Sequence, residues 1–186
     1  MRVAGLVLAA GAGSRFGRPK ALVAHRGVRW VEHAAAVLGD AGCAPVVVVL
    51  GAAAATVRAE TSLAGLVVVD NPGWATGMGS SLRVGLAALT GVDAVVVLPV
   101  DTPGVTAAAV GRFVALASPG VLARASYAGA PGHPVLIGAD HWPGVSAAAT
   151  GDAGARDYLR AHGAVVVRCE DVADGADVDR PEDLVT

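Results

Sequence analysis

Short, continuous runs of apolar residues alternate along the chain with segments whose apolar residues recur at helical spacing. The most valine-rich runs lie at 46–49, 67–69, 95–97 and 165–167. Such runs are typical of strands buried on both faces of a parallel sheet, and their alternation with helices is typical of layered α/β proteins. The pattern predicts a three-layer α/β/α, Rossmann-like fold around a mostly parallel sheet.

Turn residues and helix caps set the predicted bounds of these elements. Strands are predicted at 3–8, 45–50, 66–69, 94–99 and 164–169, with a small antiparallel pair, 121–127 and 134–137, beside the main sheet. Helices are predicted at 28–38, 52–60, 82–89, 106–117, 152–162 and 180–185. We expect Ser80 and Ser81 to cap the helix at 82–89, and Thr106 to lie near the cap of the helix at 106–117.

Composition and charge narrow the class of protein. The 186 residues predict one domain, 1–186, with a core built from Ala, Val and Leu, because 54% of the chain is hydrophobic and only 4% is aromatic. A net charge of −2 without a basic tract gives no electrostatic support for binding nucleic acid or an anionic membrane. Cys43 and Cys169 form no close pair in sequence, so we expect a reduced, cytoplasmic protein.

The first predicted strand leads directly into a loop that contains three glycines, Gly11, Gly13 and Gly17. Glycines let the backbone approach a polyphosphate closely, and Arg15 and Lys20 would add positive charge there. The spacing is not that of a Walker loop. It also differs from the dinucleotide fingerprint, because Phe16 stands where the third glycine is required, and this argues against a Rossmann dehydrogenase.

Two aspartates are candidate metal ligands. Asp101 directly follows a predicted buried strand, where a carboxylate could hold Mg²⁺ against a nucleotide phosphate. The alternative is a helix-capping or turn aspartate before Pro103. Asp179 precedes a Pro-Glu-Asp segment and, by itself, favours an ordinary helix cap. Ligands of such sheets bind beyond the carboxyl ends of the parallel strands, where the 11–20 loop, the 71–79 loop and Asp101 all fall.

Taken together, these motifs resemble one family. The order of motifs is similar to that of nucleotidyltransferases related to molybdenum cofactor guanylyl- and cytidylyltransferases. It reads Leu8-Ala9-Ala10-Gly11-x-x-x-Arg15-Phe16-Gly17-x-x-Lys20, then Asp101-x-Pro103, then Asp179-x-Pro181-Glu182-Asp183. Those proteins usually carry Met in place of Phe16. Several finer features are similar to the cytidylyltransferase branch of this family. Two of them are Leu-Ala-Ala-Gly and Pro19 before Lys20. The others are the segments Asn71-x-x-Trp74-x-x-Gly77-Met78-x-x-Ser81-Leu82, Gly132-His133-Pro134-Val135 and Gly151-Asp152-x-Gly154-Ala155-Arg156.

The resemblance implies a nucleotidyltransferase fold and a role for each matching residue. Nucleotide binding would fall to Leu8, Ala9, Ala10, Gly11, Gly13, Ser14, Arg15, Lys20, Gly77, Ser80, Ser81 and Asp101. Arg15, Lys20 and Asp101 would be catalytic, and Asp101 and Asp179 would hold Mg²⁺. The acceptor would contact Gly132, His133, Pro134, Asp152 and Arg156.

Plainer interpretations remain open for several of these residues. Arg15 and Lys20 could be ordinary surface charges, and Ser80 and Ser81 could act only as caps. His133 could be a loop histidine without a catalytic role, and Trp74 could simply cover the edge of the core.

The implied reaction is attack by an acceptor phosphate oxygen on the α-phosphorus of CTP, with release of pyrophosphate. The acceptor would be a molybdopterin-type molybdenum cofactor, and the product would pass to a molybdoenzyme or its chaperone. Three alternatives stay open: the same chemistry with GTP, transfer to a small phosphorylated acid in deazaflavin-cofactor biosynthesis, and a non-catalytic carrier of the molybdenum cofactor.

Overall fold

The computed structural model describes residues 1–25 and 27–183 and contains a seven-stranded sheet. Its strands are β1 (Val3–Ala9), β4 (Val46–Leu50), β5 (Val67–Asp70), β6 (Ala94–Pro99), β7 (Leu122–Tyr127), β8 (Ala130–Gly138) and β9 (Val165–Arg168). They lie in the order β5-β4-β1-β6-β8-β7-β9. Strand β8 pairs antiparallel with both of its neighbours, and the other pairings are parallel. A separate antiparallel pair consists of β2 (Ala24–His25) and β3 (Val28–Arg29).

Helices cover both faces of the sheet, so the predicted three-layer fold is confirmed. The helices are α1 (Trp30–Asp40), α2 (Ala54–Glu60), α3 (Met78–Ala87), α4 (Ala107–Ala115), α5 (Trp142–Ala148) and α6 (Arg156–Ala161). Buried residues of α1, α2 and α4 join one apolar core, and buried residues of α3, α5 and α6 join the other. All residues of β1, β4 and β6 are buried, as their continuous apolar runs predict.

The helix that follows the 71–79 loop begins earlier than predicted. Its cap is Gly77, with a φ of 107°, and Ser80 and Ser81 lie inside the first turn of α3. The prediction that these serines cap the helix is therefore wrong. Their hydroxyl oxygens instead accept hydrogen bonds from Asn71 Nδ2 at 2.8 Å and 3.0 Å. Thr106, by contrast, caps α4 as expected, because its Oγ1 accepts a hydrogen bond from the Ala109 amide.

The predicted antiparallel pair is real, but it lies within the main sheet rather than beside it. Strand β8 joins β6 to β7, and β9 extends the sheet beyond β7. The segment predicted as a helix at 152–162 divides into a 3-10 turn at Gly151–Ala153 and helix α6, and α5 was not predicted. Of the helix predicted at 180–185, a 3-10 turn at Pro181–Asp183 is present and residues 184–186 lie outside the described residues.

Hydropathy gives no membrane-spanning element in the part of the chain that the structure describes. None of its helices is both long enough and apolar enough to cross a bilayer.

Candidate active site

The loop after β1 forms one wall of a cavity of about 430 Å³ at the carboxyl ends of β1 and β6. We call it the first cavity. It is lined by Leu8, Ala10, Gly11, Ala12, Gly13, Ser14, Arg15, Lys20, Trp74, Ala75, Gly77, Met78, Ser81, Pro99, Val100, Asp101, Asp152 and Asp179. The glycine-rich loop, the 71–79 loop and both candidate metal ligands thus meet at one place, as the strand order predicts.

The glycine-rich loop is folded tightly against itself. Gly13 has a φ of 64°, and a Cβ atom there would lie 1.9 Å from the carbonyl oxygen of Arg18. The Gly13 carbonyl accepts a hydrogen bond from the Phe16 amide at 3.0 Å. The Phe16 ring is buried and packs edge-on against Trp30, with ring centroids 5.6 Å apart. The residue that breaks the dinucleotide fingerprint therefore anchors this loop to the core.

Lys20 joins the two candidate metal ligands. Its Nζ donates a hydrogen bond to Asp101 Oδ2 at 3.0 Å and another to Asp179 Oδ1 at 2.6 Å. The Lys20 side chain is 15% exposed, whereas that of Arg15 is 78% exposed and lies 4.0 Å from Asp179. Asp101 and Asp179, which lie 81 and 159 positions from Lys20 in the sequence, thus bind the same ammonium group. Arg15 remains at the mouth of the cavity.

Lys20 and Asp179 are both charged at neutral pH. Burial alone lowers the pKa of Lys20, but its hydrogen bonds to Asp179 and Asp101 and the charge of both carboxylates outweigh burial, and the pKa lies above its ordinary value. The hydrogen bond from Lys20 holds the pKa of Asp179 below its ordinary value. Lys20 is therefore cationic and Asp179 anionic.

The donor set of this cluster fits Mg²⁺ or a similar divalent ion. Two carboxylates on the cavity wall already bind the same cationic nitrogen, so their oxygens are placed to share a cation. Mg²⁺ is usually held by one or two carboxylates and keeps its other positions for water and substrate phosphates. Asp101 and Asp179 would hold the ion. The Lys20 ammonium group already places one positive charge between these two carboxylates.

Asn71 organises the wall formed by the 71–79 loop. Its buried side chain donates to the hydroxyl oxygens of Ser80 and Ser81, and its Oδ1 accepts from the Gly73 amide at 2.9 Å. Ser81 lines the first cavity, whereas Ser80 lies behind it and its hydroxyl bonds the loop carbonyls of Gly73 and Gly77. Ala9 likewise lies behind the cavity, with its side chain in the core.

Gly77 is expected to tolerate no side chain. A Cβ atom there would lie 2.4 Å from the backbone of Gly151 and would require a left-handed φ from alanine. We expect Gly77→Ala to reduce the free energy of unfolding by about 1–3 kcal/mol and to weaken nucleotide binding. Gly39→Ala, at an uncrowded helical position, is the matched control and should be neutral or stabilising. Equal urea midpoints for the two variants would contradict this prediction.

A second cavity, of about 240 Å³, adjoins the first. The two share Leu8, Met78, Pro99, Asp101 and Asp152. The second cavity is also lined by Leu82, Val97, Arg124, Pro131, Gly132, His133, Val135, Ala153, Gly154, Ala155, Arg156, Leu159, Gly175 and Asp177. Four of the five predicted acceptor residues, Gly132, His133, Asp152 and Arg156, line it; Pro134 is buried behind them in β8. Asp101 lies where the two cavities meet.

His133 occupies a desolvated position in the second cavity. Desolvation lowers its pKa to about 4, while Asp101 opposes the shift and Arg156 adds to it. The imidazole is therefore neutral at pH 7. A neutral ring suits contact with a substrate better than it suits proton donation.

The depressed pKa of His133 makes stability depend on pH. Between pH 6.5 and the folded pKa of about 4, the unfolded chain binds a proton that the folded chain does not, so stability falls as the pH falls. Between pH 7 and pH 5 this effect should lower the free energy of unfolding by at most about 2 kcal/mol. Urea unfolding at both pH values should show a smaller loss for His133→Gln. The exposed-site control His162→Gln should keep the wild-type dependence, and a wild-type dependence in His133→Gln as well would contradict the prediction.

Sequence reasoning missed two charged residues of the second cavity, Arg124 and Asp177. Arg124 lies within a predicted strand, where spacing alone does not show which residue faces a ligand. Burial and the nearby charges of Asp101 and Asp179 raise the pKa of Asp177. The alternation of Asp177 with Asp179 is the signal that could have indicated it.

Comparison with known proteins identifies relatives of this chain. The family described as the MobA-like NTP transferase domain matches residues 5–166. The chain is 41% identical to nicotine blue oxidoreductase of Paenarthrobacter nicotinovorans, over 98% of this chain and 94% of that protein.

Solved structures show the same fold. Rv0371c from Mycobacterium tuberculosis H37Rv is 30% identical, with a TM-score of 0.83 over 98% of this chain and 95% of the other. A nucleotidyl transferase from Methanothermobacter shares the fold, with a TM-score of 0.83 at 23% identity over 98% of this chain and 94% of the other. Rv0371c has also been solved in complex with manganese, which indicates a divalent metal in this family.

The match to the family covers most of the chain, and proteins of this family take a nucleoside triphosphate as substrate. The glycine-rich loop and the two aspartates bridged by Lys20 line a cavity that would suit a nucleoside triphosphate. The chain belongs to the MobA-like NTP transferase family and is a nucleotidyltransferase.

Proposed function

We propose that residues 1–186 form one Mg²⁺-dependent nucleotidyltransferase domain that transfers CMP from CTP to the phosphate of a molybdopterin-type molybdenum cofactor. The observation that carries the proposal is the junction of the two cavities at Asp101, beside Lys20 and Asp179. A donor in the first cavity and an acceptor in the second would meet at this point. The enzyme would be cytoplasmic and would pass its product to a molybdoenzyme or its chaperone.

In this proposal the glycine-rich loop holds the triphosphate of the donor. Gly11 and Gly13 allow the backbone to approach the phosphates closely, and Ser14 borders the same wall. Arg15, exposed at the mouth, binds the β- and γ-phosphates that leave as pyrophosphate. Ser81 and the backbone near Ala10 face the base and ribose.

Lys20 and the two aspartates act at the α-phosphorus. The Lys20 ammonium turns from the carboxylates towards the α-phosphate, where it stabilises the negative charge of the transition state. Asp101 and Asp179 would hold Mg²⁺, which when bound would neutralise phosphate charge. The acceptor phosphate is already ionised at neutral pH, so the reaction requires positioning rather than a general base.

The second cavity receives the acceptor. Gly132, His133 and Arg156 line it, and its position next to Asp101 brings an acceptor phosphate to the donor. Asp152 borders both cavities and would contact the acceptor close to the reacting phosphates. The choice of CTP rests on the likeness of the Leu8–Gly11 and 71–82 segments to the cytidylyltransferase branch. The same geometry would also serve GTP or another phosphorylated acceptor.

The 41% identical relative supplies a second candidate function. Its name, nicotine blue oxidoreductase, indicates oxidation or reduction of nicotine blue. Two joined cavities could accommodate both reactants. The paired aspartates bridged by Lys20 favour nucleotidyl transfer, because transfer between phosphates needs cations to neutralise phosphate charge, whereas hydride transfer does not in itself require a divalent ion.

The direct test is pyrophosphate release by the purified protein with Mg²⁺ and molybdopterin-type cofactor, with CTP, GTP and ATP in parallel. We expect release with CTP. Release with GTP alone would overturn the assignment of the base, and no release with any nucleotide would overturn the proposal. A parallel assay of NADH and NADPH oxidation with nicotine blue tests the second candidate and should show no activity.

A further inference from the structure

Arg124 lies at the end of a row of residues that crosses the floor of the second cavity. In the sheet register, Val97 of β6 is opposite Val135 of β8, and Val135 is opposite Arg124 of β7. All three residues line the cavity. The floor therefore runs from two apolar side chains to one guanidinium group, and the guanidinium is at the end remote from the first cavity.

The local backbone also singles out Arg124. The pairing of β7 with β8 shifts register between Arg124 and Ala125. Irregularities of this kind bend a strand and change the direction of a side chain, and they are common next to active sites. Here the shift falls where the strand borders the cavity.

Among residues 1–25 and 27–183, no side chain or carbonyl accepts a hydrogen bond from Arg124. Other half-buried arginines have one: Arg29 pairs with Glu60 at 3.1 Å, and Arg112 with Asp171 at 2.6 Å. Arg124, also half-buried, makes no hydrogen bond or ion pair with the described residues. A half-buried guanidinium group that lines a cavity and has no partner among the described residues is suited to bind an acceptor atom of a ligand.

The distance across the three strands indicates how long that ligand must be. Neighbouring strands are about 4.8 Å apart, so the row from Val97 to Arg124 spans about 10 Å. Asp101, just beyond the end of β6, marks the side where the acceptor phosphate must lie. The cavity thus suits a molecule with a phosphate at one end, a flat apolar middle and a hydrogen-bond acceptor at the other end.

We propose that Arg124 determines acceptor specificity by donating hydrogen bonds to a carbonyl oxygen or ring nitrogen of the acceptor, at the end remote from its phosphate. The acceptor class is then a phosphorylated fused-ring heterocycle with an accepting edge. This inference rests on the proposed function, since it assigns the second cavity to the acceptor. It adds the residue that distinguishes such a heterocycle from a small phosphorylated acid, which would not reach Arg124.

The test compares Arg124→Met with Arg160→Met, which removes an exposed arginine outside both cavities. Equilibrium binding of molybdopterin to each protein, loaded with Mg²⁺ and a non-hydrolysable CTP analogue, gives a readout that does not depend on turnover. We expect the Kd and KM for molybdopterin to rise about 10- to 100-fold in Arg124→Met, as for loss of a charged hydrogen bond. The KM for CTP should stay within about twofold of wild type, since Arg124 does not line the first cavity.

Arg124→Gln, which keeps a donor and is shorter, provides a second variant if Arg124→Met is unstable, and it should regain part of the affinity. An unchanged Kd for molybdopterin in both variants, or no binding of molybdopterin by the wild type, would overturn the inference. The proposed function fails separately, if the wild type binds molybdopterin but releases no pyrophosphate. In that case a raised Kd in Arg124→Met would still support the role of Arg124.

Discussion

Replacing Asp101 by asparagine is expected to reduce turnover on the order of 10³-fold or more while the protein stays folded. Asp101 lies at the junction of the two cavities and shares Lys20 with Asp179. Asparagine keeps the shape of the side chain but removes the charge that would hold Mg²⁺. Because Lys20 retains its hydrogen bond to Asp179, we expect only a small change in the free energy of unfolding.

The matched control for this variant is Asp157→Asn, which removes an exposed carboxylate paired with Arg160. It should leave turnover within about twofold of wild type, because surface ion pairs contribute little. Steady-state pyrophosphate release and urea unfolding measure the two expectations. Turnover of Asp101→Asn within tenfold of wild type would remove Asp101 from the mechanism.

Replacing Lys20 by methionine should lower kcat by about 30- to 1,000-fold, equivalent to about 2–4 kcal/mol of transition-state stabilisation. Methionine fills similar space without charge. The loss should fall on kcat more than on the KM for CTP, since Lys20 is proposed to act on charge that develops at the α-phosphate. An unchanged kcat would refute this role. Arg18→Met, a change in the same loop outside the lining of both cavities, is the control.

The same variant allows a measurement without turnover. The Lys20 ammonium lies between the carboxylates of Asp101 and Asp179, where it would compete with a metal ion. Removing this charge should tighten the binding of Mn²⁺ to the nucleotide-free protein, measured by electron paramagnetic resonance. Weaker or equal binding of Mn²⁺ in Lys20→Met would contradict the assignment of the two aspartates as metal ligands.

Much of the fold follows from the sequence, because the buried strands are continuous runs of apolar residues. Strand β6 begins and ends where predicted, and the bounds of β1 and β4 differ by one residue. The position of Asp101 and of the glycine-rich loop then follows from the rule that ligands lie beyond the carboxyl ends of parallel strands. The joining of these segments in one cavity was therefore predictable.

The missed elements have local physical causes. Pro143 and Gly144 make the start of α5 resemble a loop, although proline is well tolerated in the first turn of a helix. Gly77 and Gly79 similarly conceal the start of α3, where glycine is needed for a positive φ and for close contact with the 149–151 backbone. Lateral strand order was also hidden, since periodicity does not show that β8 lies between β6 and β7.

The site was predicted less completely than the fold. Motif resemblance indicated Lys20, Asp101 and Asp179, but not that Lys20 bridges the other two, because that contact depends on tertiary structure. Arg124 and Asp177 belong to no matching motif. They became visible only when the sheet register and the second cavity were known.

The most direct test of the account is to follow the α-phosphate of CTP. With Mg²⁺, molybdopterin-type cofactor and CTP labelled at the α-phosphorus, the wild type should transfer the label to the acceptor and release unlabelled pyrophosphate, whereas Asp101→Asn should transfer almost none. Label that stays in CTP with the wild type, or that appears in the acceptor equally with Asp101→Asn, would contradict nucleotidyl transfer at the junction of the two cavities.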